Sequence, residues 1–200
     1  MFWDRVAGIY DLFEDLYNGK VFQGTGEVVA REIEADDEVL ECACGTGAIS
    51  VYLAKKCKRL IATDFSSGMR KRAAKKCEKY GNVTVRMADM MHLKCRDERF
   101  EKVVAGNVIH LLDNPEAAVA ELYRVCKKGG KVIIPTYINL NKKGGMSLLI
   151  QAFHKAGANF KRQFDEASYR KFFEGLGYSL EKCTVVQGRV PCAVAVIRKE

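Results

Sequence analysis

The chain has no apolar run approaching the roughly 20 residues a membrane-spanning helix requires. It has only 3 prolines and 1 tryptophan in 200 residues, and no Cys-x-x-Cys pair anywhere. Each shortage excludes something. Without a long apolar run, no transmembrane segment is expected. Without a low-complexity tract or a Gly/Ser/Pro-rich linker, nothing splits the chain, and residues 1–200 read as one domain. Without Cys-x-x-Cys spacing a structural zinc site is not expected, nor is any other metal. The 8 cysteines do not need to be a disulfide framework in a chain this long with a full apolar core. They read as reduced thiols, which points to a cytoplasmic protein. Met1-Phe2-Trp3-Asp4-Arg5 mixes acidic and aromatic residues, so no signal peptide is read at the start.

The composition is that of an ordinary globular chain, 48% hydrophobic and 29% charged, with a net charge of +8. Lysine and arginine are spread over several expected helices, as in Lys55-Lys56-Cys57-Lys58-Arg59 and Arg70-Lys71-Arg72. Solvated helix faces account for most of them, with an anionic substrate or nucleic acid as the alternative.

Strand-like and helix-like runs alternate. Helices are expected over Trp3 to Tyr17 and Val21 to Glu34, and Val39 to Cys42 is the first strand. The turn Gly45-Thr46-Gly47 leads into a helix from Ala48 to Lys56, and Leu60 to Thr63 is the second strand. Ser66 or Ser67 caps a helix reaching about Tyr80. Strands come next at Val83 to Met87 and Phe100 to Val108. Pro115 opens a helix at its favoured first position, Gly129-Gly130 closes it, and Lys131 to Tyr137 is the fifth strand. Met146 to Ala156 and the stretch from Asp165 to Gly175 read as helices. Tyr178 to Gln187 and Cys192 to Arg198, joined by a short link, form an antiparallel hairpin. The expected fold is therefore α/β: a Rossmann-like, seven-stranded, mostly parallel sheet with a C-terminal antiparallel hairpin and helices on both faces.

The strongest chemical signal is Val39-Leu40-Glu41-Cys42-Ala43-Cys44-Gly45-Thr46-Gly47. A strand ending in a glycine turn lets backbone amides approach a ligand at the N-terminus of the next helix. Asp64 stands 19 residues beyond Gly45, at the tip of the second strand, where a carboxylate accepts hydrogen bonds from both ribose hydroxyls. Together they point to an adenosine-containing ligand. A dinucleotide fingerprint would have glycine or alanine where Ser50 stands. Glu41, just before the turn, suits a positively charged amino-acid end instead.

These residues resemble motif I of class I S-adenosylmethionine-dependent methyltransferases. IATDFSSGM is similar to that family's ribose segment and VRMADMMHL to its adenine segment. FEKVVAGNVIHLLDNPEAAVAELYRVCKKGGKVII resembles the family's fourth strand, the helix after it and a glycine-ended turn. The matches run in order from about Val39 to Ile134, with ubiquinone/menaquinone-biosynthesis enzymes as the nearest resemblance. The resemblance implies that Glu41, Ala43, Gly45 and Gly47 line the methionine end of the cofactor, Glu41 directly or through water. It implies that Asp64 holds the ribose and that Phe65 or Met69 packs on the adenosine. Asp89 would bind the adenine amino group with Met90 beside the ring, and Asn107 would meet the cofactor from the fourth strand. Ala43 departs from the family's first glycine, which is tolerable if its φ is negative.

His110, just past the fourth strand, is read either as a general base facing the acceptor or as structural. Cys42 and Cys44 are read as a buried and a loop residue rather than nucleophiles. A cap over residues 1–36, with Trp3, Tyr10 and Tyr17, and a lid over residues 139–163 are read either as building the acceptor site or as packing only. The acceptor is expected to be small and partly hydrophobic. Nucleic acid is disfavoured because Ala105-Gly106-Asn107-Val108 stands where amino-directed nucleic-acid methyltransferases carry a Pro-Pro motif, and the only Pro-Cys, Pro191-Cys192, is in the hairpin. A protein acceptor, a non-catalytic cofactor-binding protein and a nicotinamide-dependent oxidoreductase are the remaining alternatives.

Overall fold

The computed structural model describes residue 4, residues 18–138 and residues 161–200. The helices expected over Trp3 to Tyr17 and Met146 to Ala156 lie outside the described residues, Asp4 excepted, as do Trp3, Tyr10, Tyr17 and most of the lid.

In chain order the elements are α1 (Gly19–Ala30), β1 (Glu38–Cys42), α2 (Ser50–Ala54), β2 (Arg59–Thr63), α3 (Ser67–Cys77), β3 (Val83–Arg86) and β4 (Phe100–Ala105). A 3-10 turn (Ile109–Leu111), α4 (Pro115–Val125), β5 (Cys126–Tyr137), α5 (Glu166–Gly175), β6 (Leu180–Val186) and β7 (Cys192–Arg198) complete them. The strands form one sheet in the order β3-β2-β1-β4-β5-β7-β6. β3, β2, β1, β4 and β5 are parallel, and β7 is antiparallel to both β5 and β6. The expected α/β architecture is the one observed.

Side chains alternate across the sheet with the two-residue period of a strand. Val39, Val104, Ile133 and Val194 join a core beneath α1, α2 and α3. Their neighbours Leu40, Val103, Val132 and Ala195 join the opposite core beneath α4 and α5. Because both faces are covered, the central strands read as continuous apolar runs rather than alternating ones.

Side-chain caps set the starts of three of the five described α-helices. The Ser66 hydroxyl accepts from the Met69 amide at 3.2 Å and starts α3, so Ser66 rather than Ser67 is the cap. Asn114 caps α4 ahead of Pro115, and Asp165 forms a capping box with Ser168 at the start of α5.

Several boundaries differ from expectation: α1 ends at Ala30 rather than Glu34, and β6 starts at Leu180 rather than Tyr178. α3 stops at Cys77, short of Tyr80, and α2 is a short helix of 5 residues because the turn before it extends to Ile49. β4 ends at Ala105, where Gly106 and Asn107 turn out of the sheet and the Asn107 amide bonds to the Pro135 carbonyl at 3.0 Å. Gly129-Gly130 does not close α4: the helix ends at Val125 and the glycine pair lies inside β5. There the Gly129 amide reaches the Lys199 carbonyl at 2.7 Å, and a Cβ on Gly130 would stand 2.5 Å from the Glu101 carbonyl oxygen.

Candidate active site

Because β1, β2 and β4 are parallel and in register, their carboxyl ends open together. Cys42 lies beside Thr63 on one side and Ala105 on the other. The Cys44 amide bonds to the Thr63 carbonyl at 2.9 Å, and the Gly106 amide to the Cys42 carbonyl at 3.1 Å. These bonds hold three strand-to-loop turns around one cavity of about 390 Å³.

Ala43, Gly45, Asp64, Phe65, Met69, Asp89, Met90 and Asn107 all line this cavity. Eight of the ten expected cofactor residues, drawn from four loops and the first turn of α3, thus share one wall system. Six further lining residues were not expected: Ala88, Met91, Gly106, Val108, Leu111 and Leu112. A usable signal existed for the last two, an apolar pair left outside any strand just after β4.

Asp64 is the best-held group. Its Oδ2 accepts from the Gly45 amide at 2.9 Å and its Oδ1 from the Ser66 amide at 2.8 Å. Burial pushes its pKa above the ordinary carboxylate value, partly offset by those two amides. Each oxygen keeps a lone pair for a further donor, as bridging two ribose hydroxyls requires.

Glu41 and Gly47 do not line the cavity. Gly47 has φ +88°, and a Cβ there would lie 3.1 Å from the Ala73 Cα; its absence allows the turn to pack against α3. Glu41 is fully buried behind the turn. Its Oε2 accepts from the Ser50 hydroxyl at 2.5 Å, while Oε1 is buried without a hydrogen-bond partner. Burial raises its pKa to about 8. An orphaned acceptor on a strained acid is what a cationic ligand or a bridging water would satisfy. Ser50 was read only as the residue that breaks a dinucleotide pattern; it is the Glu41 anchor.

Ala43 corrects an expectation. Its φ is +51°, not negative, and Asn107 on the facing wall has φ +48°. Both are non-glycine residues in the left-handed region, which concentrates backbone strain at the cavity mouth.

Asp89 is exposed and its Oδ1 accepts from the Met91 amide at 2.9 Å. Phe65 is 54% exposed while Met69 is buried, so the two adenosine-packing candidates form a rim and a floor. His110 sits on the 3-10 turn with its ring 6.2 Å from that of Tyr137. It is absent from the cavity lining, and burial lowers its pKa to about 4. Burial raises the Cys42 thiol to about 12 and Cys44 well above its usual value, so neither presents a thiolate nucleophile. All 8 cysteines are unpaired. Among the described residues no helix is long and apolar enough to cross a membrane.

Residues 40–134 match the family model described as a methyltransferase domain. The chain is 35% identical over 132 residues to a phosphatidylethanolamine N-methyltransferase of Cereibacter sphaeroides, covering 64% of each protein. It is 31% identical over 143 residues to a demethylmenaquinone methyltransferase of Thermobifida fusca, covering 69% of this chain and 60% of that one. The chain thus spans about three fifths of the length of these curated relatives. An S-adenosylmethionine-dependent methyltransferase from Aquifex aeolicus superposes with a TM-score of 0.73 at 20% identity, over 96% of this chain and 97% of that one, which shows the shared fold. The motif order, the sheet order and the carboxyl-edge cavity agree with the methyltransferase domain that residues 40–134 match, on the fold shared with solved S-adenosylmethionine-dependent methyltransferases.

Proposed function

We propose that the cavity binds S-adenosylmethionine and that the chain transfers a methyl group from it to a small-molecule acceptor in the cytoplasm. The observation that carries this reading is the pairing across the Ala43–Gly47 turn. Asp64, oriented by two backbone amides, stands on one side. The buried Glu41 oxygen without a partner stands on the other. One group suits a ribose, the other a cationic amino-acid end.

When bound, the sulfonium supplies a methyl group already activated for displacement, so the chain's own task is alignment. Positioning of this kind can lower a barrier by about 7–11 kcal/mol in favourable cases. Val108, Leu111, Leu112 and Phe65 give the cavity apolar surface, which favours a small, partly hydrophobic acceptor. The cap over residues 1–36 and the lid over residues 139–163 complete the acceptor side in this reading, with 1–200 acting as one domain. Acceptor screening starts with the chemistries in the relatives' names, phosphatidylethanolamine and demethylmenaquinone, then small phenols, amines and thiols. His110 is the candidate base, neutral above about pH 4 and adjacent to lining residue Leu111. A His110→Gln variant that keeps cofactor affinity and turnover would remove it from that role.

Calorimetric titration with S-adenosylmethionine, S-adenosylhomocysteine and NAD tests the reading. Binding of the first two without NAD is expected. In Asp64→Ala the affinity should fall by about 1.5–3 kcal/mol, the value of hydrogen bonds to a charged group. Binding of NAD alone, or unchanged affinity in a folded Asp64→Ala protein, would sink it. Cofactor binding with no acceptor methylated in the screen would leave a non-catalytic binding protein.

A further inference from the structure

The positive charge of this chain is concentrated in one part of it. Residues 55–86 contain eleven Lys and Arg against two acids, a net +9, while the whole chain carries +8. Everything outside that stretch therefore sums to −1. Within it, α3 buries Met69, Ala73 and Cys77 against the core. Lys71 and Lys75 recur at a four-residue interval on the opposite, exposed face, and Lys79 continues the stripe just past the helix end.

The lysines of this face contrast with the paired cations on and beside β4, β5 and β7. None of Lys71, Lys75 and Lys79 has an ion-pair partner among the described residues. Arg99, Lys102, Lys127, Lys131, Arg198 and Lys199 all have one. Unpaired like charges on one helix face repel one another and are relieved by an external polyanion.

The same corner carries exposed apolar side chains. Thr63 and Arg86 are register partners at the ends of β2 and β3, which brings the loops after them together at the start of α3. On those loops stand Phe65, 54% exposed, and Met87, 62% exposed, the large apolar side chains left most open to solvent among the described residues. Phosphate recognition alone gives no reason to expose them. A lipid bilayer surface does, because cations meet headgroup phosphates while apolar tips enter the headgroup–acyl boundary.

We propose that the Lys71-Lys75-Lys79 face of α3, together with Met87 and the outer edge of Phe65, docks on an anionic lipid bilayer. Docking there sets the cavity rim, at Phe65, against the membrane. The surface stands on charge and exposure; its use in catalysis rests on the methyl-transfer reading.

The test is co-sedimentation of the intact chain with vesicles of phosphatidylcholine alone or mixed with phosphatidylglycerol, at low and high salt. Binding to the anionic vesicles only, abolished by high salt, is expected. The triple variant Lys71→Gln, Lys75→Gln, Lys79→Gln should lose roughly a hundredfold in vesicle affinity. A control triple of equal charge change, Lys20→Gln, Lys128→Gln, Lys171→Gln, should lose tenfold less. Met87→Ser should weaken vesicle binding severalfold and leave binding of a short RNA unchanged. Equal losses in the two triples overturn the proposal, since net charge alone would then explain the binding. So does tighter binding to short RNA or DNA than to vesicles at the same salt, lost in the α3 triple. Calorimetry with S-adenosylmethionine on the same proteins keeps the two readings apart. Cofactor binding without vesicle binding removes only the docking surface, and vesicle binding without cofactor binding removes only the proposed activity.

Discussion

Lys131 in β5 is held between Glu32 and Glu181 at 2.7 and 2.8 Å, and Arg198 in β7 joins Glu181 from the other side at 2.7 Å. Lys71 in α3, at the far side of the sheet, has no ion pair among the described residues. The contrast extends beyond charge. In the β5-β7-β6 half, β7 is buried along six of its 7 residues, and the Tyr169 hydroxyl donates to the Ile134 carbonyl at 2.7 Å. In the β1-β2-β3 half, Glu41 in β1 has a carboxyl oxygen without a partner, and the loops hold left-handed Ala43 and the exposed Phe65 and Met87. The first half ties its charges into ion pairs around a packed core. The other leaves valences and strain unspent at a cavity, which is where ligand binding draws its free energy.

The largest effect that sharpens this comparison belongs to the β5-β7-β6 half. Phe173 is fully buried beside Tyr169 and Phe172. Phe173→Ala should cost about 3–5 kcal/mol in urea denaturation, while the protein that remains folded binds cofactor as before. A cofactor affinity that fell with it would mean the halves are not separable.

Glu41→Gln comes next and acts on the open half. Folded Glu41 titrates near 8 against its ordinary 4.5, so the native state holds an extra proton between those values. Its contribution to stability is complete below about pH 4.5 and is lost as pH rises through about 8. Glu41→Gln should flatten that decline in denaturation midpoints taken from about pH 5 to about pH 9. It should also weaken S-adenosylmethionine binding about tenfold by removing a charged partner. Parent protein should release protons on binding the cofactor, read as a buffer-dependent calorimetric heat. A parent whose stability is flat over that range would show that Glu41 is ionised throughout.

Ala43→Gly is a smaller test. Relief of a left-handed alanine, less the added freedom of glycine in the unfolded chain, should raise stability by about 1 kcal/mol or less. A loss of stability instead would mean that the Ala43 methyl group packs usefully. The smallest effect is expected at Arg198→Ala, whose half-exposed ion pair with Glu181 should be worth no more than about 0.5 kcal/mol.

Much of this protein was legible because the signals are local. A serine before a helix, an asparagine before a proline and an aspartate three residues before a serine each find their partner within one turn. Apolar runs separated by turns also marked the sheet. The glycine pair at 129–130 was misread because its partners, Lys199 and Glu101, lie far along the chain. Ser50 reaches Glu41 only after α2 folds back over β1. The φ of Ala43 is imposed by bonds from both neighbouring strands, which no window around Ala43 contains.

By itself the sequence determined the order of strands and helices, the turn after β1 and the acid after β2. Each comes from hydrophobic period, capping chemistry or a fixed number of residues per element. Only the tertiary structure decided that Asp64 is gripped by Gly45 and Ser66, that Glu41 is buried with one oxygen unsatisfied, and that Lys71, Phe65 and Met87 share a corner. Those are relations between segments, and they come into being when parallel pairing brings the ends of β1, β2, β3 and β4 to one edge.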